Sequence, residues 1–148
     1  IFPESLHCKN PCAGDGALVG HLEWYGGACM WASDIEPQHK GIHTSPYDKL
    51  GFDEYIESDY IITNPPWDRK ILHPMIDHFR KIRPTWLLFD ADWMHTVQSK
   101  PFMFNCEKIV SVGRIKWFGN MTGKDNCAWY LFSDKYEPLK STEFYGRI

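Results

Sequence analysis

Apolar positions in the first half of the chain fall into short continuous runs and one helically spaced run. The segments ACMWAS and DYIIT are continuous runs that end at polar residues, so each predicts a buried strand. SLHCK, residues 5–9, predicts a weaker first strand, and a further short strand is expected near Ile42. ALVGHLEWYG has apolar residues at helical spacing and ends at a Gly-Gly pair, which predicts a helix between the first two strands.

The second half predicts one more helix, one more buried strand and a hairpin. ILHPMIDHFRKI has a helical pattern in which Pro74 is compatible only with the first turn. TWLLFDAD is a continuous apolar run, and KIVSVGRIKWF and NCAWYLF are two strands joined by the turn segment GNMTGKD. This order predicts an α/β fold: a doubly wound, Rossmann-like, mostly parallel sheet with an antiparallel C-terminal hairpin. We expect residues 1–148 to form one domain.

Composition narrows the class of protein. With 148 residues, 43% of them hydrophobic, the chain can build one core. No run approaches the roughly 18 apolar residues of a membrane span, and no signal peptide pattern is present, so we expect a soluble, cytoplasmic protein without membrane association. The five cysteines are odd in number and contain no CxxC pair, which favours reduced thiols. The sequence begins at Ile1 and not at Met, so we expect it to start inside a longer chain or after a leader.

The charged residues suggest local binding patches and no generally basic surface. The net charge is −3, so nucleic acid would have to be bound by local patches of cations. The alternative for each patch is an ordinary solvated surface. The cations concerned are Arg69, Lys70, Arg80, Lys81 and Arg83 in one segment, and Arg114, Lys116 and Lys124 in another. Asp90 and Asp92 could bind a metal, but capping is favoured, and the seven histidines lack ligand spacing, so no metal site is predicted.

The turn NPCAGDG follows the first predicted strand and precedes the first helix. Gly14 and Gly16 would let a ligand approach the main-chain N–H groups closely. The Gly-Lys-Ser/Thr ending of a phosphate-binding P-loop is missing, and Val19 replaces the third glycine of a dinucleotide fingerprint. Asp34, at the end of the next strand, could accept hydrogen bonds from a ribose diol, with Ile35 against a purine face. The alternative is a tight turn whose Asp34 caps a helix.

The tetrapeptide NPPW ends the predicted strand DYIIT. Pro65 and Pro66 have fixed φ angles and no N–H, so the chain leaves the sheet in a stiff extended form. The Asn64 side chain and the Pro65 carbonyl are then free acceptors beside the flat ring of Trp67. Two acceptors next to an aromatic face suit a planar heterocycle that carries an exocyclic NH₂, such as adenine. The alternative is a proline-rich loop that simply ends a strand.

Together, NPCAGDG and NPPW resemble the Pro-x-x-Gly-x-Gly turn and the (Asn/Asp/Ser)-Pro-Pro-(Tyr/Phe/Trp) tetrapeptide of S-adenosylmethionine-dependent amino methyltransferases, especially the DNA adenine-N6 group. The resemblance runs from about Pro3 to Phe132, with the glycine turn first. It implies methyl transfer to an sp² nitrogen, with Asn64, Pro65, Pro66 and Trp67 as the catalytic segment. Duplex substrates would require the base to leave the stack and enter the site.

The resemblance also implies contacts for the cofactor and the substrate. The methionine part of S-adenosylmethionine would contact Pro11, Ala13, Gly14 and Gly16. Its ribose would contact Asp34, its adenine ring Ile35, and its adenine amine Asp48, with Ser45 as the alternative. Substrate contacts beyond Trp67 would be Lys116, Trp117 and Phe118 of RIKWFGN, with ordinary core packing as the alternative for the two aromatic residues.

Three functions are compatible with these residues. The leading one is methylation of the N6 amine of adenine in DNA. The second is methylation of adenine in RNA or of a glutamine amide in protein by the same motif. The third is a cofactor-binding subunit without catalysis of its own. The sequence has no room for a separate target-recognition domain, so the substrate is expected to be recognised by loops, as a single strand, or with another subunit. Self-association to a homo-oligomer is favoured because a dimer would extend the binding surface.

Overall fold

A computed structural model describes residues 6–51, 53, 57–118, 121–134 and 141–147, with the side chains of 117, 118, 121 and 122 outside that description. Its strands are β1 (His7–Asn10), β2 (Ala28–Asp34), β3 (His43–Thr44), β4 (Tyr60–Thr63), β5 (Thr85–Asp90), β6 (Cys106–Phe118), β7 (Met121–Phe132) and β8 (Glu143–Tyr145). They form one sheet in the order β3-β2-β1-β4-β5-β7-β6-β8. Only β7 runs antiparallel to its neighbours β5 and β6, so the predicted mostly parallel sheet with an antiparallel hairpin is confirmed.

The helices begin where local chemistry favours them. They are α1 (Ala17–Trp24), α2 (Arg69–Arg80) and the short α3 (Lys100–Met103). At the start of α2, the Asp68 carboxylate accepts a hydrogen bond from the Lys70 N–H at 3.0 Å, which is an N-cap. Pro74 is the sixth residue of α2, so the expectation that it lies in the first turn was wrong. Its nitrogen cannot donate to the carbonyl one turn earlier, on the exposed Lys70.

Three further details differ from the sequence-based expectations. The first strand covers His7–Asn10 rather than 5–9. The predicted turn GNMTGKD is too long, because β7 already begins at Met121 and pairs with β6 from there. The third is the edge strand β8, parallel to β6, which had no sequence signal. No helix in the described part of the chain is long and apolar enough to cross a membrane.

The largest hydrophobic cluster lies where α2 and the segment after β5 cover the β5–β7 pair. Phe89 stacks on Tyr130 with ring centroids 4.3 Å apart, and Trp93 meets both rings edge-on. The Tyr130 hydroxyl donates to the Asp90 carbonyl at 2.9 Å, so this buried ring keeps its polar atom satisfied. The cluster therefore fixes the carboxyl end of β5 beside the end of β4.

A histidine under this cluster is expected to make stability depend on pH. The Trp93 indole N–H donates to His73 Nε2 at 3.0 Å, so Nε2 must carry no proton. Burial, assisted by the charge of Arg69, lowers the pKa of His73. Because the folded pKa lies below the unfolded value of about 6.5, the contribution of His73 is present above that pH and is lost as the pH falls through it.

The expected measurement is the unfolding midpoint in denaturant between pH of about 7.5 and about 5.5. The midpoint of the wild-type protein should fall more steeply on acidification than that of His73→Gln, which keeps an acceptor but does not titrate. Parallel curves for the two proteins would show that His73 does not contribute.

Candidate active site

The glycine turn and the NPPW tetrapeptide leave the sheet at neighbouring points. β1 and β4 are adjacent and parallel, with Cys8 opposite Tyr60 and Lys9 opposite Ile61. The chain continues outward to β2 and β3 on one side and to β5 on the other, so the strand order reverses between β1 and β4. In open α/β sheets, ligands bind at the carboxyl ends of strands at such a reversal. The structure therefore brings the two motifs together, as the sequence predicts.

A buried hydrogen-bond network joins the two motifs directly. Asn10, the last residue of β1, and Thr63, the last of β4, are both fully buried. The Thr63 hydroxyl donates to Asn10 Oδ1 at 2.6 Å. The Cys12 N–H points at both, 3.1 Å from Thr63 Oγ1 and 3.3 Å from Asn10 Oδ1. The residue before Asn64 is thus tied to the first residues of the glycine turn, a contact that the sequence analysis missed.

Removing the Thr63 hydroxyl is expected to loosen this junction. Thr63→Val keeps the shape of the side chain but leaves Asn10 Oδ1 with only the longer bond from Cys12. A buried acceptor that loses its partner costs about 1–2 kcal/mol, and chemical unfolding should show that loss. Thr44→Val, at an exposed position in β3, is the matched control and should stay within about 0.5 kcal/mol of wild type. Equal effects of the two substitutions would contradict the role given to Thr63.

Cys12 is not a nucleophile in this site. Burial, with the nearby charge of Asp34, raises the pKa of the Cys12 thiol to about 12. The thiol therefore stays protonated at neutral pH, and the thiolate is the reactive form. Its sulfur lies 3.9 Å from the Met75 sulfur of α2, a packing contact. All five cysteines are free, as the sequence predicts.

The glycine turn is shaped by two residues in the left-handed region. Gly14 has φ 55° and Gly16 has φ 84°, and L-residues with a Cβ rarely adopt such angles. A Cβ placed on Gly14 would meet no atom within 4 Å, so the backbone here is open to an approaching molecule. A Cβ on Gly16 would lie 3.5 Å from the Ile42 side chain. Gly14 is therefore the point where a ligand could contact the main chain.

The N–H groups of this turn are mostly used inside the protein. Acceptors for five of them are Thr63 Oγ1 for Cys12, the Ser33 carbonyl for Ala13, the Asp34 carboxylate for Gly14, the Ala13 carbonyl for Gly16, and the Asp15 carboxylate for Ala17. The expectation that a ligand would approach the N–H groups is thus corrected. A ligand would meet glycine carbon atoms instead, which suits a phosphate poorly.

Asp34 closes the turn from the end of β2. Its Oδ2 accepts from the Gly14 N–H at 2.9 Å, and its Oδ1 accepts from the Glu36 N–H at 2.9 Å. The capping alternative is thus partly right, although Asp34 caps a turn and no helix follows before β3. Each carboxylate oxygen has a second lone pair, so both could still accept from ribose hydroxyls. The side chain of Ile35 is 69% exposed beside it, free to pack on a flat ring.

The other expected cofactor contacts occupy different environments. Pro11 and Ala13 are buried, and Ala13 is fixed to β2 by its hydrogen bond to Ser33. Asp48 lies in a single 3₁₀ turn, Tyr47–Lys49, and is exposed. The Ser45 N–H donates to the Asp34 carbonyl at 2.9 Å, so the chain entering that turn stays next to Asp34.

Asn64 presents an amide oxygen that has no hydrogen-bond partner in the described part of the chain. It is half-buried, and its Oδ1 is shielded from water and accepts no hydrogen bond from the described residues. Rotating the amide by half a turn exchanges the oxygen and the nitrogen, which are interchangeable in shape. Because Oδ1 has no partner, such a rotation would break no hydrogen bond of that oxygen and could turn it toward a substrate. A buried acceptor without a partner costs about 1–3 kcal/mol, so an incoming N–H donor would relieve a real penalty.

The rest of the tetrapeptide is held rigidly. Pro65 is buried and Pro66 is exposed. Trp67 is half-buried and packs against the hydrophobic cluster that includes Phe89 and Trp93. Contact with the core fixes the orientation of the ring and leaves part of its surface accessible. A ring held in this way can serve as a stacking wall next to Asn64.

Arg69, just after the tetrapeptide, ties the site to the segment that follows β5. Its guanidinium donates to Gln98 Oε1 at 3.1 Å and to Thr96 Oγ1 at 3.4 Å, and it lies 4.0 Å from the Asp90 carboxylate. Asp90 Oδ1 also accepts from the Asp92 N–H at 2.9 Å, so the capping role predicted for it is confirmed. Among the described residues no group of acidic, histidine or cysteine side chains could hold a metal ion.

The expected substrate residues of the hairpin are only partly visible. Lys116 is exposed on β6. Trp117 and Phe118 belong to the same strand, but their side chains lie outside the described residues, so neither the substrate contact nor core packing is resolved for them.

Comparisons with known proteins identify the fold. No family model matches the sequence, and no curated protein matches it. Among solved structures, a Listeria monocytogenes protein assigned to the class I S-adenosylmethionine-dependent methyltransferases is 12% identical, with a TM-score of 0.57 over 97% of this chain and 59% of its own. The type IIG restriction endonuclease BpuSI is 14% identical, with a TM-score of 0.61 over 91% of this chain and 23% of its own.

These likenesses extend along nearly the whole chain, whereas the chain spans less than two thirds of either similar protein. At such low sequence identity, the similarity shows a shared fold and says nothing about the substrate of this chain. The mostly parallel sheet with its antiparallel β7 and the similarity to the Listeria protein point to the same fold. The chain therefore has the Rossmann-like fold of a class I S-adenosylmethionine-dependent methyltransferase.

Proposed function

We propose that this chain transfers a methyl group from S-adenosylmethionine to the exocyclic N6 amine of adenine in DNA. The single observation that carries the proposal is Asn64 Oδ1, which has no hydrogen-bond partner among the described residues and follows directly on Thr63, tied to the glycine turn through Asn10 and Cys12. One acceptor and one open ligand turn thus share the reversal point of the sheet. The restriction endonuclease among the similar structures favours DNA as the substrate.

The residues at the turn fit this cofactor. A Cβ at Gly14 would meet no atom within 4 Å, so there is space for a ligand. Asp34 can still accept hydrogen bonds from a ribose diol, and Ile35 offers an exposed apolar side chain for adenine. Pro11, Ala13 and Gly16 would shape the wall along the methionine part, and Asp48 would accept from the adenine amine. When bound, S-adenosylmethionine supplies a methyl group on a positively charged sulfur, a strong electrophile.

The chain's own contribution is to make the substrate amine reactive. The lone pair of an adenine amine is delocalised into the ring. The Asn64 amide would have to turn its shielded Oδ1 toward the bound base. If that oxygen and the Pro65 carbonyl each accept one N–H, they draw the nitrogen toward tetrahedral geometry and direct its lone pair at the electrophile. Trp67 would hold the ring by stacking, worth about 1–3 kcal/mol per base. The methylated nitrogen then loses one proton to water, so the site requires no strong base.

Part of the catalytic effect would come from rigidity. Pro65 and Pro66 restrict the backbone that carries both acceptors, and core contacts restrict Trp67. Acceptors that are already oriented need no reorganisation as charge develops on the nitrogen. Lys116, Trp117 and Phe118 would contact the substrate from the hairpin.

A labelled-methyl transfer assay with DNA, RNA and protein offered in parallel tests the substrate class. The proposal expects label in DNA, and nucleoside digestion should place it in N6-methyladenine. Label in RNA or in protein glutamine would replace the DNA assignment. Cofactor binding without transfer to any of the three would indicate a subunit that depends on another chain for catalysis.

A further inference from the structure

The β6–β7 hairpin extends beyond the rest of the sheet. Pairing of β5 with β7 ends at Asp90 and Cys127, while β6 and β7 stay paired through Arg114 with Asn126 to Phe118 with Met121. On the other side, the pairing of β6 with β8 ends at Val110. We call residues 113–118 and 121–126 the β6–β7 ribbon. Within the described residues it has no strand on either outer edge.

The ribbon projects from the same end of the sheet as the candidate active site, the end where the parallel strands finish. β6 runs parallel to β5, so the ribbon continues past the carboxyl end of β5, next to the end of β4 where Asn64 lies. Strands are spaced by about 4.8 Å, which places β7 about 10 Å from β4. From Gly113 to Phe118 the ribbon gains about 17 Å at about 3.4 Å per residue. It therefore stands beside the site as a projecting arm.

The ribbon is basic on a chain that is acidic overall. Arg114, Lys116 and Lys124 are exposed, and Asp125 is the only acidic residue of the ribbon's sequence. The chain as a whole has a net charge of −3. A local excess of cations on a two-stranded arm is the arrangement that attracts a polyanion to one place without a general basic surface.

A fourth cation reaches the base of the ribbon from another segment. Arg147, just after β8, lies against Gly113, where a Cβ would fall 2.8 Å from the Arg147 Nη1 atom and 3.2 Å from Cζ. Gly113 has φ 84° and sits at an irregularity in the β6–β7 register. Because Gly113 has no side chain, the Arg147 guanidinium can pack against its backbone; the Cβ of any other residue would displace it. Cations from two separate segments therefore lie on or next to the β6–β7 ribbon.

We propose that the β6–β7 ribbon and Arg147 bind the sugar-phosphate backbone of the nucleic acid whose base enters the candidate active site. This inference rests on the proposed function for the identity of the bound polymer. Arginine and lysine side chains on the arm would contact phosphates next to the target nucleotide, which fixes the position of the strand but not its sequence. The arm would thus supply substrate binding within this chain.

Binding of labelled oligonucleotides, measured without cofactor over a range of salt concentrations, tests the proposal. Duplex DNA, single-stranded DNA and RNA of one sequence distinguish the polymers. The variants are Arg114→Glu, Lys116→Glu, Lys124→Glu and Arg147→Glu. Lys81→Glu is the matched control. The sequence groups Lys81 with the other cationic segment, but the structure places it exposed after the end of α2, near the amino ends of the parallel strands and away from the ribbon. Unfolding midpoints near wild type verify that each variant folds.

Each ribbon variant should weaken binding about tenfold at low salt and reduce the slope of log affinity against log salt by about one. Lys81→Glu should leave both quantities unchanged. Ribbon variants that bind like Lys81→Glu would overturn the proposal. So would wild-type binding to poly-glutamate as tight as to oligonucleotides, because the arm would then recognise acidic polymers in general.

The two proposals fail in different ways. If wild type methylates DNA and the ribbon variants bind and methylate equally well, the ribbon assignment is wrong and the proposed function stands. If the ribbon variants lose nucleic-acid binding while wild type transfers no methyl group, the ribbon assignment stands and the proposed function is wrong.

Discussion

Replacing Asn64 by alanine is expected to lower the rate of methyl transfer to DNA by about 100-fold or more. The substitution removes the acceptor that orients the substrate amine, and it breaks no hydrogen bond of Asn64 Oδ1 within the described residues. Cofactor affinity, measured by calorimetry, should stay near that of wild type. The loss should therefore appear in the catalytic rate and not in the binding of S-adenosylmethionine.

Asn64→Asp is the control for this experiment. It keeps an oxygen acceptor of the same length, so it should retain more activity than Asn64→Ala. If Asn64→Ala transfers methyl groups at the wild-type rate, the amine-binding role of Asn64 is wrong. If it loses cofactor binding to the same extent as activity, Asn64 supports the glycine turn instead.

Gly14→Ala is expected to damage both cofactor binding and stability. A side chain at φ 55° costs about 1–2 kcal/mol, because L-residues are strained in the left-handed region. The new Cβ would also fill the open space where the cofactor would pass. We expect cofactor affinity to fall about tenfold or more, which corresponds to about 1.4 kcal/mol or more of lost binding free energy.

Gly20→Ala is the matched control, since a Cβ at Gly20 also meets nothing within 4 Å. Gly20 lies within α1 at an ordinary φ, so alanine should stabilise the protein by about 0.5–1 kcal/mol and leave cofactor affinity unchanged. Chemical unfolding and calorimetry on both variants measure the contrast. Unchanged cofactor affinity in Gly14→Ala would show that the cofactor does not pass over Gly14.

The sequence predicts the fold well because its signals are strong and mutually consistent. Continuous apolar runs mark β2, β4 and β5, and the helical pattern before Gly26 marks α1. The alternation of these elements leaves few topologies open. The neighbourhood of the two motifs follows from the same reasoning, because both leave parallel strands at their carboxyl ends.

What the sequence could not show depends on tertiary contacts. Residues 121–125 include glycine, threonine, lysine and aspartate, which are typical of turns, yet they lie in β7, which pairs with β6 on either side of them at Thr122 and Asn126. The Asn10–Thr63 hydrogen bond joins residues far apart in sequence, and neither residue type predicts its partner. The core contact of Trp67 likewise depends on how α2 and β5 pack.

The central claim is that Asn64 holds the exocyclic amine of adenine beside the glycine turn. Its most direct test compares two oligonucleotides that differ only at adenine: one with adenine, the other with purine, which lacks the amine. With labelled S-adenosylmethionine, the account predicts label in the first, recovered as N6-methyladenine, and none in the second. Label in both, or label recovered in cytosine, would contradict it.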